Sequence, residues 1–124
     1  MAIEKAETYS ESASHVIEVL QGKWRMQILW VMRSGPTRLG QLARRIPCAS
    51  KKVLTENLRE LEANGIVVRR DLSGTVRHVE YDFNEGLRPA VNAILDHLAE
   101  VGGQLHPESI PPQRRKCERE GTAT

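Results

Sequence analysis

The side chains of this sequence that could do chemistry are mostly cations, and they cluster. Between Arg38 and Arg59 stand Arg38, Arg44, Arg45, Lys51, Lys52 and Arg59, opposed only by Glu56. The net charge of the whole 124-residue chain is only +2, so the remainder is neutral or acidic by comparison. Near the other end, Arg88 is set against Asp96 and Glu100. An asymmetry of this kind suits a polyanionic partner. Lys and Arg beside phosphates release condensed counterions, Arg and Lys also reach guanine edges, and Thr can touch a thymine methyl. A helix face carrying Lys, Glu and Arg is equally the ordinary surface of any helix, so the cluster alone decides nothing.

Other chemistry has less to rest on. Cys48 and Cys117 are far apart, with no CxxC pair or histidine cluster, which argues against a zinc site. A disulfide is not expected of a cytosolic chain. Cys48 stands just before a helix start and near Lys51 and Lys52, a setting that favours a thiolate. It is thus a candidate redox switch, against the plainer reading of an ordinary turn residue. His15, His78, His97 and His106 show no ligand spacing. There is no nucleophile motif, phosphate-cradling glycine loop or paired-acid arrangement, so neither an enzyme nor a bound cofactor or metal is expected. Trp24 and Trp30 read as core or interface packing, with a small-molecule inducer pocket against them left open.

The elements that must position these residues follow from periodicity and punctuation. Hydrophobic content of 40% and charged content of 27% are ordinary for one globular domain. No apolar run is long enough to span a bilayer and the start lacks a secretory signal, so the expected address is cytoplasmic. Residues 1–13 read as a flexible arm, residues 14–103 as the folded domain, and residues 104–124 as a disordered tail rich in Gly, Pro and mixed charge. Helices are expected from Ser14, over Trp24 to Met32, over Leu39 to Ile46, from an N-cap at Ser50 to about Asn64, and over Leu87 to Val101. In the fourth, Leu54, Leu58 and Leu61 share one side, Lys52, Glu56 and Arg59 fall opposite it, and Lys51 and Thr55 flank it. Gly65 suits a left-handed stop. Strands are expected at Ile66 to Arg70 and Val76 to Phe83, joined by a tip at "DLSGT". The apolar stripe of the last helix is wider than one neighbour needs, which points to a partner chain.

Short helix, turn, capped helix and hairpin make a winged helix-turn-helix order, mainly α with a small β-hairpin. In such a fold the second helix of the pair enters the major groove. The segment "LQGKWRMQIL" (Leu20 to Leu29) resembles the "GGKW" signature of HxlR-type winged helix-turn-helix regulators, relatives of the MarR group. "SKKVLTENLRELEANGIVVR" and "RHVEYDF" resemble that family's helix and strand patterns, and the resemblance runs in one order from Val16 to Gly102. It implies homodimeric transcription factors, paired through terminal helices, on pseudo-palindromic double-stranded DNA. Carried onto this chain, it implies DNA contact by Lys51, Lys52, Thr55 and Arg59, with Arg38 and Arg77 in support; Ser50 caps the same helix, and His78 could join Arg77 at the wing. Several relatives carry a sensing cysteine before the first helix; the corresponding position here is near Glu11, with no cysteine nearby. The expected function is that of a dimeric repressor. A redox- or ligand-responsive sensor that releases DNA, and a winged-helix protein-interaction module, remain as alternatives.

Overall fold

The computed structural model describes residues 2–105, with side chains from Thr8 onward. The first helix, α1 (Ala2–Leu20), starts well before the expected Ser14. Residues 2 to 14 contain no Gly or Pro and several strong helix formers, so nothing stops the helix short of Ala2. The expected boundary between arm and domain at residue 13 falls within this one continuous helix. From Thr8 to Glu18 its side chains are exposed, and it meets the body at its last turn, where Val19 is buried and Leu20 half-buried. The expected tail lies almost wholly outside the described residues.

Helices α2 (Arg25–Met32), α3 (Leu39–Arg45) and α4 (Lys51–Ala63) follow. Trp24 precedes α2 rather than opening it, with a left-handed φ of 77°. Ile28, Leu29 and Met32 of α2, Leu42 of α3, and Leu54, Leu58 and Leu61 of α4 have no exposed surface. They form one core with Val67, Phe83 and Leu95. Burial of this size, about 1.5–3 kcal/mol per large side chain, is what orients the three helices. Gly65 (φ 80°) ends α4, and the Ile66 amide donates back to the Leu61 carbonyl at 3.0 Å, as the expected left-handed stop requires.

Strands β1 (Val67–Asp71) and β2 (Val79–Phe83) pair antiparallel, with Val67 opposite Phe83, Arg69 opposite Tyr81 and Asp71 opposite Val79. The second strand begins three residues later than expected. The Leu72 amide bonds the His78 carbonyl at 2.7 Å and the His78 amide bonds Ser73 Oγ at 2.9 Å, which closes the neck there and leaves Val76 in the exposed tip. Thr37, before α3, exchanges two 2.8 Å backbone bonds with Tyr81 and so borders β2 on its outer side.

A short 3₁₀ turn at Glu85–Leu87 leads into α5 (Arg88–Gln104). Alternation would put Asp82 outside, yet it is 3% exposed. Its carboxylate accepts from Arg88 Nη2 at 2.7 Å and from the Phe83 amide at 2.8 Å. Arg88 also reaches Glu85 at 3.1 Å and lies over the Phe83 ring. The bonds to Asp82 and then Glu85 hold its guanidinium protonated, above its ordinary range. The start of α5 is thus fastened to the end of β2 by charge.

Removing one member of a buried pair strands the other. Arg88→Met is therefore expected to lower unfolding free energy by about 3 kcal/mol. The exposed Arg33–Asp96 contact, although 2.6 Å long, should respond to Arg33→Met by less than about 1 kcal/mol. Equilibrium denaturation of both variants checks the contrast.

Candidate nucleic-acid interface

Helix α4 is specified at its start as well as along its buried side. Ser50 has the extended conformation of an N-cap, and its Oγ accepts from the Val53 amide at 3.1 Å. That hydroxyl is committed to capping, so Ser50 has a positioning role at the surface. Lys51, Lys52 and Arg59 are exposed, and none of their side chains has a salt-bridge or hydrogen-bond partner among the described residues. Thr55 is half-buried and donates its hydroxyl to the Lys51 carbonyl at 2.8 Å. Its bond to the helix backbone leaves the methyl group as its freer recognition feature. The leucine stripe and the cationic side chains thus sit on one rod: at about 100° per residue Lys52 and Arg59 lie roughly 140–160° round from Leu54, and Lys51 flanks the stripe at roughly 60°.

The two supporting arginines meet at the neck of the wing. Arg38 precedes α3 in an extended conformation, its amide taking Gln41 Oε1 at 2.8 Å, and its Nη2 reaches the Arg77 carbonyl at 3.3 Å. The structure therefore joins two positions that are far apart in sequence. His78 differs from expectation: it is half-buried, with Nε2 2.8 Å from Glu80 Oε1, so its ring is occupied by a strand neighbour rather than presented at the tip. Asp71, not considered from sequence, sits at the same neck. Hydrogen bonds from Ser73, with smaller contributions from Arg69 and Arg77, hold its carboxyl below the ordinary value of 3.8. A fixed negative charge so close to Arg77 sets the tip apart from the α4 flank, where Lys51, Lys52 and Arg59 outnumber Glu56.

A second feature lies behind the helix pair. A largely apolar cavity of about 660 Å³ is bounded by α2 and α5 through Trp24, Met26, Trp30, Leu95 and Leu98, and by the α3–α4 turn through Ile46, Pro47 and Cys48. The two tryptophans gave the sequence signal for it; the contribution of the turn is visible only in three dimensions. Cys48, on the wall of this cavity, is not a free thiol, where no disulfide is expected from the sequence. The other cysteine of the chain, Cys117, lies outside the described residues. No cluster of three metal-ligating side chains occurs among the described residues, and no helix there is long and apolar enough to cross a membrane.

Comparison with known proteins agrees with this geometry. A family model described as HxlR-like helix-turn-helix matches residues 19–109. The chain is 40% identical over 86 residues to the HTH-type transcriptional regulator YkvN of Bacillus subtilis, covering 69% of this chain and 72% of that one. Among solved structures, it matches the HTH-type transcriptional regulator ytcD with a TM-score of 0.69 at 36% identity, covering 74% of this chain and 93% of that one. It also matches the reduced form of the transcriptional regulator YodB from Bacillus subtilis, with a TM-score of 0.68 at 30% identity, covering 77% and 92%. YodB has also been solved quinone-bound and diamide-treated.

Proposed function

Because the chain belongs to the HxlR-like helix-turn-helix family, and is thus a transcriptional regulator with a helix-turn-helix DNA-binding fold, we propose that it works in the cytoplasm as a homodimeric repressor on a pseudo-palindromic operator. The observation that carries this reading is the unpaired cationic flank of α4, where Lys51, Lys52 and Arg59 project from a helix whose other side is locked by three fully buried leucines. A basic face with no intramolecular counter-ions is suited to phosphates and guanine edges. In this reading α4 enters the major groove, with Thr55 at a thymine methyl and Arg38 and Arg77 on the backbone beside the wing. Occupancy of the operator by a small dimer suffices to block polymerase.

The dimer rests on a separate observation. On α1, Tyr9 and Ile17 are 71% and 62% exposed; on α5, Leu98 and Val101 are 48% and 56% exposed. Apolar side chains on two terminal helices, both left open by the single chain, suit a two-fold interface in which each copy covers the other. Two-fold symmetry sets half-sites about 10 bp apart, centre to centre.

A second reading, operator release on binding a small molecule, is favoured by the cavity against Trp24 and Trp30. Its wall includes the turn between α3 and α4, so an occupant would press on the helix pair that meets DNA.

Selection of bound duplexes from a random pool tests the main reading. Arg59→Ala is expected to weaken the selected operator about 5- to 150-fold, a loss of about 1–3 kcal/mol for a base-reading arginine, and to relax its sequence preference. Lys51→Ala should weaken all duplexes alike and lower the slope of log affinity against log salt by about 1. Unchanged binding in both variants would remove α4 as the reading element. Ile17→Asp should shift the sedimenting species from twice the 14.0 kDa chain mass to one chain. The second reading requires a small molecule that raises Tm and releases the selected operator; release without such a rise, or a rise without release, counts against it.

A further inference from the structure

The junction between α1 and α2 holds a contact that the DNA-binding surface does not use. Arg25, half-buried at the start of α2, donates from Nη1 to the Val19 carbonyl at 2.6 Å and from Nε to Asn57 Oδ1 at 3.0 Å. One guanidinium therefore joins the end of α1 to the middle of α4. Both attachments suit their chemistry. The last carbonyls of a helix lack intrahelical donors and carry the negative end of its dipole, and α1 has no basic residue of its own in its last turn. Asn57 is oriented from behind, its Nδ2 donating to the Val53 carbonyl at 2.9 Å, so its oxygen is held toward Arg25. At about 100° per residue Asn57 lies roughly 160° round α4 from Arg59, on the far flank from the cationic face.

Gly22 makes the passage possible. A Cβ built there would lie 2.3 Å from Arg25 Nε and 2.7 Å from its Cδ. The arginine thus folds across the one residue of "QGKW" that has no side chain to obstruct it. No left-handed backbone conformation explains this glycine, since the positive-φ glycines are Gly35 and Gly65.

We infer that Arg25 is a positioning residue which fixes the angle between α1 and α4, and through it the half-site spacing that the dimer accepts. The inference rests on the reading of the protein as a DNA-binding dimer. The aim of α1 needs such a device because the helix is otherwise exposed as far as Glu18 and joins the body through a single turn. If α1 sets where the second copy sits, the Arg25 contact converts that placement into the separation of two α4 helices. A planar fork with donors at Nη1 and Nε can hold two acceptors in fixed relative directions, which a lysine ammonium on a flexible stem cannot.

Two variants break the contact by different routes. Arg25→Met keeps the length of the stem and removes the donors; Gly22→Ala keeps the arginine and displaces it. Each is measured on the selected operator and on versions with two base pairs added to or removed from the spacer, which turn one half-site by roughly 70° at about 10 bp per turn. The wild type should discriminate these spacings about tenfold or more, and both variants should flatten that profile to within about threefold. Arg25→Lys should restore it only in part. Hydrogen exchange of the free proteins, read on peptides covering residues 17–25, should accelerate several-fold in both variants, with peptides over residues 54–61 unchanged. A retained spacing profile, or a uniform loss of affinity at every spacing, would overturn the positioning role. Unchanged exchange at residues 17–25 would overturn the strut itself. A wild type that selects no duplex defeats the DNA reading, and the spacing half of the inference with it, while exchange still decides the strut.

Discussion

The burial of Leu54, Leu58 and Leu61 in one stripe of α4 is the constraint on which the rest depends. A helix has one face to give to a core, and three leucines without exposed surface leave no rotational freedom. Rotation about the helix axis by a single residue would expose about 100° of the stripe and bring charged side chains toward the interior. The outward direction of Lys51, Lys52 and Arg59 is therefore a by-product of apolar packing, requiring no electrostatic steering inside the molecule. The Ser50 cap and the Gly65 stop then fix where along the axis those side chains stand.

Where the surface demands precision, the fold uses a few charged links instead of more core. The Asp82–Arg88 pair fastens α5 to the hairpin, the Arg38 bond to the Arg77 carbonyl fastens α3 to the wing, and Arg25 spans α1 and α4. With only 4% aromatic residues the interior is small, and directional polar contacts can set angles that a small aliphatic core leaves loose.

The helix-turn-helix pair and its leucine stripe were legible in the sequence because both ends of α4 carry residues with a single good conformational role. The hairpin was legible as a pair of β-branched runs, but its neck was not: the closing bonds at Leu72 and His78 depend on the Ser73 hydroxyl, which no alternation pattern encodes. Asp82 departs from strand alternation for a similar reason, since its partner Arg88 lies beyond a 3₁₀ turn whose geometry brings it back. The candidate site was legible in residue type and less so in state. Lys51, Lys52 and Arg59 lie open as read, whereas His78 is engaged by Glu80 and Ser50 by its own helix. The outer half of α1 could be read only as an arm, frayed or helical, because a polar helix with exposed side chains has no periodic apolar signature to read.

The hairpin has a further consequence for how the molecule behaves in company. Thr37 occupies the outer side of β2, so among the described residues the outer rim of β1 is the side of this small sheet without a strand beside it. That rim carries Arg69, Arg70 and Asp71, all exposed. An unpaired rim is a template on which other chains can stack into fibrils, and closely spaced charges make stacking of identical copies repulsive. The hairpin is thereby guarded against growth into an aggregate by strand addition.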